Sequence, residues 1–272
     1  MSTAPGSQTP SAAGDLDVLA DLQADVLATL ADVDPEAPVP WCGRWRVRHL
    51  VVHLARVHHW AAAQAARTRE VPLGRGPFDL PELYASCAAE LRETLDALDP
   101  GARAATLLDD GVPRADRRGT VAFWHRRQKL ETLVHLWDLR TAGGLPSDVG
   151  HLGDAEQWWD AVREVAEVMH PRQVRLARVA APSVLVTLRR PDGVGVPLDG
   201  GAPVAPGLPR VEVVGSAREL GLMVWGRSGV ASGASSTVPT SRGEPYEVRG
   251  DGGDDAAARS LLSDLLRAGL TP

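Results

Sequence analysis

Lysine is almost missing from this chain: of the 29 basic residues among 272, only Lys129 is not an arginine. Against 35 acidic residues the balance is a net charge of -6, which leaves no basic excess to neutralise phosphates and makes nucleic acid an unexpected partner. Cysteine is scarce as well. Cys42 and Cys87 are too few for a disulfide framework and have no CxxC spacing for a metal or redox pair. No apolar run approaches the roughly 20 residues of a membrane span, and the opening MSTAPGSQTPSAAG has no basic stretch followed by an apolar one. The expectation is a cytoplasmic protein with neither membrane nor nucleic-acid partner. Phenylalanine and tyrosine are rare too, so eight of the twelve aromatic residues are tryptophans, read here as filler for a helical core otherwise rich in alanine.

What is present fits a globular protein, with 44% hydrophobic and 24% charged residues in a length that suits one large domain or two ordinary ones. Residues 1–14 are rich in Ser, Thr, Pro and Gly and read as a disordered tail. Leu16, Leu19, Leu22, Val26 and Leu30 then recur at helical spacing. Further helices are predicted over Arg46–Arg69, Leu80–Leu98, Thr120–Ala142 and Asp154–Met169, with Gly143-Gly144 stopping the fourth. After that the period changes. Val174–Val179, Val184–Leu188 and Val211–Val214 read as strands, Pro191–Pro209 as a long Gly/Pro loop, and Ala217–Trp225 and Ala256–Ala268 as helices. Helices first and strands later predict an α+β protein: a bundle over 15–170 and a smaller α/β domain over 171–272.

Glu131 and His135 are four apart, which stacks them on one helical face where both reach a single ion; Asp138 and Arg127 join that face. Alone, such a face fits a solvated row of salt bridges better than a metal site. His53 sits in the apolar run Leu50-Val51-Val52-His53-Leu54-Ala55, which suits a bundle interior and permits either a hydrogen-bonded core histidine or a metal ligand. His49, one turn earlier, competes with it but is flanked by Arg46 and Arg48. Cys42 has no base at a recognisable offset and reads as an inert thiol.

The segments WRVRHLVVHLARVHHWAAA and FWHRRQKLETLVHLWDLRTAGG resemble the two metal-site helices of the mycothiol-dependent maleylpyruvate isomerase family, within the DinB-like helical-bundle superfamily. VEVVGSARELGLMVWGRSG is similar to the strand, Gly-Ser turn and helix of that family's C-terminal domain, which has a sterol-carrier-like sheet. The resemblance implies that His53, Glu131 and His135 bind a divalent metal, usually zinc. It also implies that mycothiol serves as cofactor or co-substrate against a small electrophile, by cis-trans isomerisation or by thiol S-transfer. Three protein ligands leave a coordination position open, as catalytic sites do. Asp138 is then a candidate for orienting a ligand imidazole, with a helix-end salt bridge as its other reading. Arg127 and Arg227 are candidates for binding a carboxylate, and Arg127 alternatively pairs with Glu131. The sequence departs from the family pattern at a Ser/Gly/Thr-rich insertion over 228–243 and in the loop Pro191–Pro209. The competing reading is a noncatalytic binding or regulatory module that keeps its metal as a structural element.

Overall fold

The computed structural model describes residues 12–201, 205–227 and 245–271, so the insertion 228–243 and most of the expected tail lie outside the described residues. Helix α1 spans Ala12–Leu30 and starts inside the expected tail. Its first carbonyl, that of Ala12, sits 2.9 Å from Nδ1 of the buried His125, which gives the extra turn a partner. The other helices of the first unit are α2, Val47–Ala66, α3, Leu80–Ala97, and α4, Val121–Ala142.

Each helix end has a local cause. The Arg46 N–H donates to His49 Nδ1 at 3.0 Å to open α2, and Asp79 accepts the Glu82 N–H at 3.0 Å to open α3. At the close of α4, Gly143 lies so near Val33 that a Cβ would come within 2.5 Å of its side chain. The helices α2 and α3 pack together, α1 lies along α4, and α2 also meets α4, giving the four-helix bundle. Leu19, Ala61, Leu91, Leu95, Val121 and Trp124 form its apolar centre, where Trp60 and Trp124 meet edge to face at 5.0 Å. From Trp124 to Leu139 α4 is buried almost continuously, and its buried polar set includes Arg127, Gln128, Lys129, Glu131, His135 and Asp138. A helix buried on every side is normally apolar, so these groups require partners.

The chain divides into two compact units, the bundle with its connections up to Leu145 and a second unit holding Pro40–Gly43, Leu107–Arg118 and everything from Pro146 onward. This moves the boundary expected near 170. The helix expected over Asp154–Met169 is α5, Ala155–Glu164, running into a π-helical turn over Val165–Met169 and then α6, His170–Arg175. It belongs with the second unit because Trp158 on α5 presses against Gly221 so closely that a Cβ there would lie 2.9 Å from the indole ring. Trp158, Trp159 and Trp225 therefore fill this unit rather than the bundle.

The second unit carries a four-stranded mixed sheet in the order β2-β1-β3-β4. Its strands are β1, Leu185–Arg189, β2, Gly195–Leu198, β3, Arg210–Gly215, and β4, Tyr246–Gly250. The pair β1 and β3 is parallel, and both outer pairs are antiparallel. Val186, Leu188, Val211, Val213 and Val248 bury one face, against which α8, Asp255–Ala268, packs. Between β3 and β4 comes α7, Ala217–Val224, opened by a reciprocal cap between Ser216 and Glu219.

Three local expectations are corrected. Val174–Val179 is not a strand: Val174 lies in the last turn of α6, Leu176 caps it, and Ala177 takes φ 54° just beyond. Alternating apolar residues over so short a window do not separate strand from helix end, and here the preceding turn carries the backbone hydrogen bonds. The Gly/Pro loop over Pro191–Pro209 contains β2, whose Pro197 is tolerated because β2 is an edge strand. Its hairpin turns at Gly193, φ 89°, where a side chain would be strained. The third, β4, was not foreseen. Among the described residues no helix is long and apolar enough to cross a membrane.

Candidate metal centre

Two helices of the bundle carry the expected ligands, and the packing of α2 on α4 brings them together. His53 Nε2 lies 3.1 Å from Glu131 Oε1, and His135 Nε2 lies 3.4 Å from the same oxygen. One donor atom from each of the three falls within 4.8 Å of the others. The His53 and His135 rings meet edge to face at 5.1 Å, and Trp45 tilts against His53 at 4.9 Å. The His53 side chain is 33% exposed whereas Glu131 and His135 are buried, so the cluster has one accessible side.

The surrounding groups fix protonation and direction. Asp138 Oδ2 lies 2.9 Å from His135 Nδ1 and is placed to accept its proton, the arrangement in which Nε2 is the nitrogen available to a cation beside Glu131 and His53. Burial alone would raise the Glu131 pKa, but the Arg127 guanidinium, bonded to Oε2, and His135 outweigh it and hold the carboxyl well below its usual range. Burial works against a charge on His135, yet Glu131 and Asp138 prevail and raise its pKa. Two imidazole nitrogens and an ionised carboxylate around one point are a donor set suited to a divalent cation of the zinc type. Of the two readings for Arg127, the geometry gives the ion pair with Glu131.

The remaining candidates separate. His49 is exposed and spends Nδ1 on the start of α2, so it is not among the converging donors. Arg227 belongs to the second unit, beyond the end of α7, where its guanidinium bonds the Trp225 carbonyl and lies 3.8 Å from Cys42 Sγ. Cys87 is buried, with its thiol pushed up to about 11 by burial. Sequence reasoning missed a cleft of about 790 Å³ beside His53, lined by Trp45, Val52 and Phe78 and by Arg44, Arg48, Arg56 and Arg75. The signal was present: Arg48, Val52 and Arg56 repeat every four residues along α2 on the side of His49 and His53.

If Asp138 orients His135 as this geometry implies, Asp138→Asn should lower metal affinity by about 10- to 100-fold while leaving the fold intact. Competition with a chelator measures it; unchanged affinity would leave Asp138 no part in holding the ligand.

A second histidine of α2 bears on stability. His58 is fully buried, with Nδ1 2.8 Å from Gln128 Oε1 and Tyr84 on its other nitrogen. Burial pushes its pKa down to about 4; His53 and Arg92 add to the fall, and the Gln128 bond and the Glu131 charge oppose it. In the unfolded chain the value is about 6.5. A base depressed on folding gives its full stabilisation above the unfolded value and loses it as pH falls toward the folded one. The loss between about pH 6.5 and 4 should reach roughly 3 kcal/mol. Urea unfolding of His58→Gln should lack this part of the acid slope, and identical slopes would contradict it.

Comparison with known proteins bears on the fold and on the domain that carries this cluster. Residues 16–140 match the family model described as the mycothiol maleylpyruvate isomerase N-terminal domain. Two solved structures share the fold: a crystal structure of the mycothiol-dependent maleylpyruvate isomerase, 15% identical with a TM-score of 0.54, and one of a histidine-to-alanine mutant, 14% identical with a TM-score of 0.56. Each alignment covers 80% of this chain and 90% of the other. No curated protein matches the sequence significantly.

Proposed function

We propose, from the match of residues 16–140 to the mycothiol maleylpyruvate isomerase N-terminal domain, that the chain is a metal-dependent enzyme that directs a low-molecular-weight thiol, mycothiol, at a small electrophile. The observation that carries this reading is the convergence of His53, Glu131 and His135 donors at one point with one side accessible. These three residues would hold a divalent cation, zinc being the best match to the donor set. When bound, the cation would supply the positive charge that favours thiolate over thiol at neutral pH. Mycothiol would supply the nucleophilic sulfur, released unchanged in cis-trans isomerisation and retained on the product in S-transfer.

The chain's own residues do the rest. With a cation bound, Asp138 would accept the Nδ1 proton of His135 and so leave the Nε2 lone pair for the cation. Arg127 keeps Glu131 ionised and restrains its second oxygen, leaving Oε1 toward the two rings. Trp45 walls one side of His53 and limits water there. Both cysteines are free, which suits the reducing cytoplasm assigned here.

The test is turnover. Protein whose metal content has been measured is incubated with mycothiol and a panel that includes maleylpyruvate and generic alkylating electrophiles. Product formation that needs both thiol and metal is expected. Stoichiometric metal without thiol-dependent turnover across the panel would overturn the enzyme reading in favour of a noncatalytic metal module.

A further inference from the structure

The cleft beside His53 lies wholly within the bundle unit and has a charge pattern that the metal does not explain. Its charged lining is basic throughout: Arg44, Arg48, Arg56 and Arg75, with no aspartate or glutamate among the lining residues. This occurs in a chain where acidic residues outnumber basic ones by 35 to 29. Two of the four arginines are anchored. Arg48 pairs with Glu36, and Arg56 donates to the Gly74 carbonyl at 3.0 Å. Arg44 and Arg75 have no hydrogen-bond or ion-pair partner among the described residues, although both border the cleft. Arg48 and Arg56 are eight residues apart on α2, about 12 Å along its axis, and His53 lies between them. The remaining walls are mostly apolar: Val52, Pro77, Phe78 and Leu80, with Trp45.

We propose that this cleft is a subsite for an organic anion with an apolar body, its carboxylate or phosphate held by Arg44 and Arg75 and its body lying on Trp45, Val52 and Phe78. Guanidinium groups recognise such oxyanions through two parallel N–H bonds, and unpartnered ones give up no existing ion pair to do so. The volume is that of a small-ligand pocket, and apolar walls with a few placed charges are the usual composition of one. Combined with the function proposed above, on which this last step rests, the subsite makes Arg44 and Arg75 the residues that select an anionic electrophile over a neutral one beside His53.

Isothermal titration of the full chain with cinnamate, with neutral cinnamamide and with inorganic phosphate tests the subsite without requiring turnover. Cinnamate is expected to bind at least about tenfold more tightly than either of the others. The preference should survive chelation of the metal and disappear in Arg44→Ala/Arg75→Ala, whose thermal unfolding should match wild type because both side chains are exposed and unpartnered. Equal binding of cinnamamide would overturn the anion preference, and equal binding of phosphate would overturn the apolar half. Loss of binding on chelation, full retention in the double variant, or no binding at all would overturn the assignment as a whole. Metal content measured on the same samples keeps the two readings apart, since the cleft can fail while metal and thiol turnover stand, or the reverse.

Discussion

Replacing His53 and His135 together by alanine should reduce bound metal from about one ion per chain to a trace, and thiol-dependent turnover to its background rate. Only Glu131 would then remain of the three donors, and it is already bonded to Arg127. The single oxygen it leaves toward the site, Oε1, is too little to hold a cation by itself. The fold should survive, because alanine is the best helix former and the bundle's apolar centre is built from other residues. Elemental analysis of the two proteins after identical purification reads the result. Equal metal content would remove the site and, with it, the chemistry proposed for the chain.

The largest effect on stability is expected at Lys129. Its ammonium lies 2.6 Å from Asp15 Oδ1, and both side chains are almost wholly buried, 1% and 8% exposed. Lys129→Met strands the Asp15 carboxylate inside the bundle and should cost about 3–5 kcal/mol in urea unfolding. The double change Asp15→Leu/Lys129→Met removes both charges and should recover most of that loss, since apolar replacement of a buried pair is often neutral or stabilising. If the single variant lost less than about 1 kcal/mol, the pair would be behaving as an exposed one.

The three residues that converge, His53, Glu131 and His135, were legible in the sequence because each stands out locally. Glu131 and His135 share a face at four residues, and His53 stands out in an apolar run, so helical geometry and the family-like segments together point to one ion. The four bundle helices were legible for the same reason, long apolar periods with Pro and Gly punctuation. What escaped depends on distant partners or on edges. Lys129 pairs with a residue 114 positions away, and no local pattern encodes that. Arg75 lies on the loop between α2 and α3, and only folding sets it on the same cleft as Arg48. The strand β2 carries Gly195 and Pro197, residues that argue against a strand except at a sheet edge, where it proves to lie. In β4 only Tyr246 and Val248 face inward, too few to stand out from the segment before it.

The solitary lysine has a practical corollary. With its one lysine ammonium 1% exposed, the folded chain offers amine-acylating reagents no side chain to attack. Lys129 becomes reactive only when α1 and α4 part, because its partner Asp15 lies on α1. Side-chain acylation, read as a single mass increment on the peptide containing Lys129, therefore clocks the opening of the bundle one molecule at a time, with no engineered probe.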